Sequence, residues 1–207
     1  MERGILMNAP MVNATLEGRK TMTRRAVITA NITRKAELWE WNNFKAHPNM
    51  PNFETWGPKQ GITLVEIDSS QIVGLPCLHG KPGDKLWVRE TWGVAPCYNS
   101  FSPSNIPLSS ARHVDYRADE ERYWSVHVDK WRPSIHMPRW ASRITLEIVG
   151  VRVERLQKIT PADCMAEGSQ NDLPMWRSFA LLWNSINGKK YPWESNPFVW
   201  VIEFKPT

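Results

Sequence analysis

Apolar and polar positions alternate most cleanly over Arg143 to Leu156, where Ile144, Leu146 and Ile148 share one face and Gly150 marks a place for a bulge or bend. This segment predicts a central strand. The same alternation from Lys85 to Trp92 sets Leu86 and Val88 on one side and Lys85, Trp87 and Arg89 on the other. Gly61 to Ile67 and Gln71 to Val73 predict two shorter strands, Arg19 to Arg25 is β-prone enough to enter a sheet, and Phe198 to Lys205 predicts a closing strand. Met175, Phe179, Leu182, Trp183 and Ile186 recur at i, i+4, i+7, i+8 and i+11, which predicts an amphipathic helix over Asp172 to Asn187 with Gly188 as its stop.

Two shorter helices are announced by their caps. Asn8 with Pro10 opens one that Gly18 closes, its inward positions being Met11, Val12, Thr15 and Leu16. Thr160, Pro161 and Asp163 open another that ends near Gly168, with Glu167 at its C-terminal end. Lys81-Pro82-Gly83-Asp84 reads as a turn. The stretches Ala30 to Gln60 and Gly93 to about Ala111 carry no clear period and read as long loops, the first with short helices allowed. Short strands with a few helices predict an α+β or small-barrel architecture.

The 207 residues suit one domain with long loops. Lysine and arginine number 26 against 21 acidic residues, a modest excess that favours polyanions at low salt. The cysteines, Cys77, Cys97 and Cys164, are odd in number and widely spaced, unlike a disulfide framework, so a reducing compartment is expected. No run of about 18 apolar residues occurs, and the expected location is the cytoplasm, away from membranes. Of the 12 tryptophans, Trp87, Trp176, Trp183 and Trp200 fall within predicted elements and are expected in the core. Trp131 and Trp140 stand beside arginines and suit stacking on a base.

No phosphate-binding loop, dinucleotide fingerprint, zinc-protease motif or paired CxxC is present. Cys77, His79 and Cys97 offer soft ligands for zinc, but the spacing fits no common site and a fourth ligand is missing, so neither metal nor cofactor is expected. His136, between Pro133 and Pro138, suits an acid, base or phosphate contact as well as a hydrogen-bonded structural histidine. The densest cluster is Gly18-Arg19-Lys20-Thr21-Met22-Thr23-Arg24-Arg25. Read by itself it is either a phosphate-contacting patch or a solvated basic strand. A lysine there can also act as a base toward a threonine hydroxyl once burial or neighbouring cations lower its pKa.

These stretches, GRKTMTRR at 18–25, KPGDKLWVRETW at 81–92, WRPSIHMPRWASR at 131–143, TLEIVGVRVERLQKITPADCMAEG at 145–168 and FVWVIEFK at 198–205, together resemble the ASCH domain family of the PUA-like superfamily. They are most similar to its longer members from bacteriophages and prophages, which implies expression in a bacterial host. The resemblance implies a PUA-like small β-barrel with flanking helices over residues 1–207, lengthened by insertions at about 26–60 and 93–140. It implies a cleft for RNA or a modified nucleoside, with no obligate protein partner. Members that hydrolyse N-acetylated cytidine carry a catalytic lysine, threonine and glutamate, which fall here on Lys20, Thr23 and Glu167. In that reading Arg24, Arg25, Glu90, His136, Arg139 and Arg143 contact the substrate or RNA. Amidohydrolase-type cleavage of a C–N bond is the leading expectation; the alternatives are a non-catalytic RNA-binding module and a ribonuclease.

Overall fold

The structure, a computed structural model, describes residues 1–27, 37–38, 62–68, 71–107, 114–119, 128–169 and 174–207. In chain order the elements are β1 (Glu2–Leu6), α1 (Ala9–Leu16), β2 (Met22–Ala26), β3 (Glu37–Leu38), β4 (Ile62–Asp68), β5 (Gln71–Pro76), β6 (Lys85–Arg89) and β7 (Trp92–Gly93). There follow β8 (Asp115–Tyr116), β9 (Thr145–Arg155), α2 (Pro161–Ala166), α3 (Met175–Asn187) and β10 (Phe198–Pro206). Most of the expected loop from Ala30 to Gln60, the tip of the loop reaching Ala111 and the expected helix start at Asp172 lie outside the described residues.

The principal sheet has five strands in the order β1-β6-β9-β10-β2. The expected central strand, β9, is in the middle, and its register against β10 slips at the Glu203–Phe204 step, so that Val149 beside Gly150 is left over as a bulge. A Cβ on Gly150 would come within 2.9 Å of the Glu203 carboxylate, so a larger residue at the bend would have to displace that side chain. β3, β4 and β5 form a separate antiparallel sheet of three strands, and β7 pairs with β8.

The mixed α+β architecture stands, but the closed barrel implied by the family resemblance is not formed. β1 and β2 are the two edges of the sheet, and among the described residues no ladder joins them. The chain passes from one edge to the other through α1, whose Met11 and Val12 pack into the inner face. Where a barrel would have ladder bonds, the Arg25 guanidinium reaches across and donates to the Leu6 carbonyl at 2.7 Å. A side-chain bridge of this kind satisfies one carbonyl without imposing strand register.

β1 is the strand that periodicity does not reveal. Its five residues mix charge and apolar types, and it becomes a strand by pairing in parallel with β6, from Glu2 opposite Lys85 to Leu6 opposite Arg89. Gly4 is required there: a Cβ would lie 2.9 Å from the Trp87 ring and 2.8 Å from the Arg89 side chain, both draped across it.

Alternation along β10 divides the molecule. Trp200, Ile202 and Phe204 point to the inner core with Leu86, Leu146 and Ile148. Val199 and Val201 point the other way, under α2 and α3, with Met22, Leu156, Phe179 and Trp183. A third cluster gathers Trp92, Val94, Ile106, Met137 and Ala141 from the segment between β6 and β9. The tryptophans divide accordingly: Trp92, Trp183 and Trp200 are buried, whereas Trp87 is half-buried and Trp176 is 51% exposed, stacked on Trp193, contrary to the core placement expected for both. Ile186, and Leu16 of α1, are likewise exposed, contrary to the inward positions expected for them, and Phe179, Ala180 and Trp183 form the buried stripe of α3.

Candidate functional site

The cluster from Gly18 to Arg25 is bent into place by two helix ends. Glu17 caps α1 and Gly18 follows at φ 74°, after which the Lys20 amide donates to the Ala14 carbonyl at 2.9 Å. The Thr21 amide then donates to the Ala166 carbonyl at 2.8 Å, tying the segment to the end of α2. That helix begins with a full capping box between Thr160 and Asp163. It ends in a Schellman motif, with Gly168 donating to Met165 and Ser169 to Cys164. Gly168 has φ +89°, and a Cβ on it would meet Ala14 at 2.8 Å and Lys20 at 3.3 Å. Glycine therefore lets the end of α2 approach closely enough to deliver Glu167 to Lys20.

Lys20 lies just before β2, an edge strand. The Thr21 carbonyl accepts from Phe204 in β10 at 2.9 Å, so the next carbonyl, Met22, points off the free edge. Lys20 Nζ donates to it at 2.7 Å, to the Glu167 carbonyl at 2.8 Å and to Glu167 Oε2 at 2.7 Å. All three ammonium hydrogens are thereby used. The pair is enclosed, with side chains 0% and 3% exposed. Burial pushes the Lys20 pKa below the ordinary lysine value, the neighbouring Arg25 and Arg24 add to this, and Glu167 opposes it.

Arg24, whose side chain is wholly buried, extends the cluster. It meets Glu167 Oε1 at 3.4 Å, Asp163 Oδ2 at 3.0 Å and Glu154 Oε2 at 3.4 Å. Arg152 in turn contacts Glu154 and Glu203 and lies 3.6 Å from Asp163 Oδ1. Thr23 is 1% exposed and, opposite Ile202 in the ladder, takes the face of β2 away from Arg24. Its hydroxyl is not among the partners of the Lys20 ammonium. The structure thus brings Lys20, Glu167 and Arg24 into one bonded group, with Thr23 adjacent along the chain but not bonded to it.

The remaining expected contacts fall elsewhere. Glu90, 1% exposed, receives both Nε and NH2 of Arg143 at 3.0 Å. Arg143 also holds Asp119 at 2.7 Å and lies 3.9 Å over the Tyr116 ring. Burial raises the Glu90 carboxyl above its usual range, opposed by Arg143, and drives the Tyr116 phenol up to about 12. Arg139 pairs with Glu2 at 2.7 Å, and His136 is exposed on the 3-10 turn Ser134–His136. Sequence reasoning passed over Asp163 and Glu154 as partners of Arg24. The signal for Asp163 was present in its spacing, one helical turn ahead of Glu167.

Cys77, Cys97 and Cys164 are free thiols, Cys97 exposed and the others buried. Among the described residues no group of three His, Cys, Asp or Glu side chains is gathered as a metal site. No described helix is long and apolar enough to cross a membrane. His79, half-buried beyond β5, has its pKa pushed down to about 4 by burial first and then by Arg25 and Arg3. The unfolded chain, with the ordinary value of 6.5, binds this proton more tightly. Stability from His79 is therefore complete above the unfolded value and is lost as pH falls toward 4, by roughly 2–3 kcal/mol. Between those limits wild type should lose stability relative to His79→Gln as pH falls, read from their denaturant midpoints; parallel curves would contradict this assignment.

No family model, curated protein or solved structure matches this chain.

Proposed function

We propose that this protein is an ASCH-type, PUA-like hydrolase that cleaves the acyl–nitrogen bond of an N-acylated cytidine or related modified nucleoside with Lys20, Thr23 and Glu167. One observation carries the reading beyond the family resemblance. Lys20 and Glu167, 147 positions apart, meet at 2.7 Å in a site closed to water. An isolated buried charge is strongly unfavourable, so a buried lysine and carboxylate at this distance exchange a proton at lower cost than they would in water.

The chemistry follows from that exchange. A proton passes from Nζ to Glu167 Oε2, leaving a neutral amine and a carboxylic acid. Substrate entry must bring the Thr23 hydroxyl to the amine, since in the closed structure Thr23 takes the face of β2 away from Arg24. The amine then accepts its proton and the oxygen attacks the acyl carbon. As the C–N bond breaks, the Glu167 acid protonates the departing exocyclic nitrogen. Water admitted as the freed nucleoside leaves gives a proton to Lys20 after a second exchange and attacks the acyl-threonine. The Glu167 acid protonates the departing Thr23 oxygen, which releases the carboxylic acid and restores the hydroxyl. Three of the cations expected to form an open phosphate groove already hold carboxylates: buried Arg24, exposed Arg139, and Arg143 in its pair with Glu90. That favours pocket chemistry over a polymer-binding surface.

Release of cytidine from N-acetylcytidine by the purified protein tests the proposal. Lys20→Met, Thr23→Ala and Glu167→Gln should each lower kcat/KM by about 10²-fold or more while retaining folded far-UV spectra. Turnover should fall as pH rises through the depressed Lys20 value, because the pair then loses the one proton that Glu167 must deliver to the leaving nitrogen. An inert wild type that binds RNA with steep salt dependence would replace this reading with the non-catalytic RNA-binding module.

A further inference from the structure

Asp163 contacts neither Lys20 nor any atom of the proposed reaction, yet its carboxylate is held from several sides. Oδ2 accepts from the Thr160 amide at 3.0 Å and from Arg24 NH2 at 3.0 Å, and Oδ1 faces Arg152 at 3.6 Å. It precedes Glu167 by one turn, so both carboxylates look onto Arg24. The two cations divide the Glu167 carboxylate between them: Lys20 takes Oε2 at 2.7 Å and Arg24 stands off Oε1 at 3.4 Å.

That division is not what an unrestrained guanidinium chooses. Arginine prefers to bind both oxygens of a carboxylate through two parallel N–H donors. Arg24 has nowhere to be solvated, its side chain being 0% exposed, and its Nε is without a hydrogen-bond partner. Freed from Asp163, it would close on Glu167 and compete with Lys20 for Oε2. Glu154, at 3.4 Å, restrains it less closely.

We infer that Asp163 is a positioning residue, which holds Arg24 back so that Glu167 keeps one oxygen for Lys20. The inference rests on the reading of Lys20 and Glu167 as the working pair, and it explains why a carboxylate occupies a capping position already suited to a neutral side chain. Three charged groups set the titration of Lys20: Glu167 at the end of α2, and Arg24 and Arg25 on β2. If Asp163 is neutralised, Arg24 draws Glu167 away, and Lys20 loses the one partner that favours its charged form.

The experiment follows the Lys20 side-chain carbon resonance against pH in the full chain, together with N-acetylcytidine turnover. Asp163→Asn retains an oxygen for the Thr160 amide and removes the charge. It should move the Lys20 midpoint to lower pH and reduce kcat about tenfold with KM nearly unchanged. Adding Arg24→Met to Asp163→Asn should raise the midpoint by more than Arg24→Met does alone, an excess that neither the loss of the Arg24 charge nor general loosening of the fold produces. If Asp163→Asn does not fold, Asp163→Ser, with a smaller capping oxygen, takes its place. A midpoint equal to wild type in the neutral variant overturns the positioning role even in an active hydrolase. A shifted midpoint in a protein that never releases cytidine sustains the positioning role and removes the hydrolase reading.

Discussion

Glu167→Ala is expected to destabilise the protein by about 3–5 kcal/mol, the cost of leaving buried charge without its partner. Glu167 is the carboxylate shared by Lys20 and Arg24, whose side chains are both 0% exposed. Its removal takes the only carboxylate from the Lys20 ammonium, leaving two backbone carbonyls, and takes one of three from Arg24. Lys20→Met should cost less, because methionine fills much of the same volume and Glu167 retains Arg24. Urea unfolding checks the order, with the m-value showing that the same surface is exposed in each variant. A Glu167→Ala cost below about 1 kcal/mol would mean that water reaches the pair, and the proposed proton exchange would lose its physical basis.

Trp92→Ala should cost about 3–5 kcal/mol, the range for deleting a large buried aromatic ring. Trp92 is 0% exposed, meets Trp140 edge-on at a centroid distance of 5.8 Å and packs with Val94, Ile106 and Met137. Its indole Nε1 has no hydrogen-bond partner, so the desolvation of that group works against the fold. Trp92→Phe removes the unsatisfied donor along with part of the ring, and the two effects oppose each other. It should therefore cost well under half as much as Trp92→Ala. Thermal unfolding of the two variants separates the contributions; equal losses would show that a phenyl ring recovers none of the packing and would overturn this account.

The local signals were legible where chemistry acts over a few residues. Asn8 caps α1 through its contact with the Met11 amide at 3.1 Å, and Thr160 and Asp163 form the capping box that their spacing announces. Alternation located β6, β9 and β10, because one face of each strand meets a core. It failed for β1, whose pairing with β6 depends on residues more than 80 positions away. The core placement of Trp87 and Trp176 rested on membership of an element alone. Trp87 stands on the Lys85 and Arg89 side of its strand and Trp176 off the apolar stripe of α3, and such a residue is buried only if another element arrives to cover it.

At the candidate site, the residue types and their likeness to a family singled out Lys20, Thr23 and Glu167, and the cap and glycine signals bounded the helix that carries Glu167. Sequence by itself thus determined the ends of α1 and α2, the strand character of the basic segment and the chemical inventory, all of them consequences of interactions within one turn or one strand. Only the tertiary structure decided that Glu167 joins Lys20, that Arg24 is shared among three carboxylates and that the sheet stays open between β1 and β2. Those outcomes depend on which distant charges become buried together, and the energy of a buried pair is set by the water excluded around it, a property that no single segment of the chain possesses.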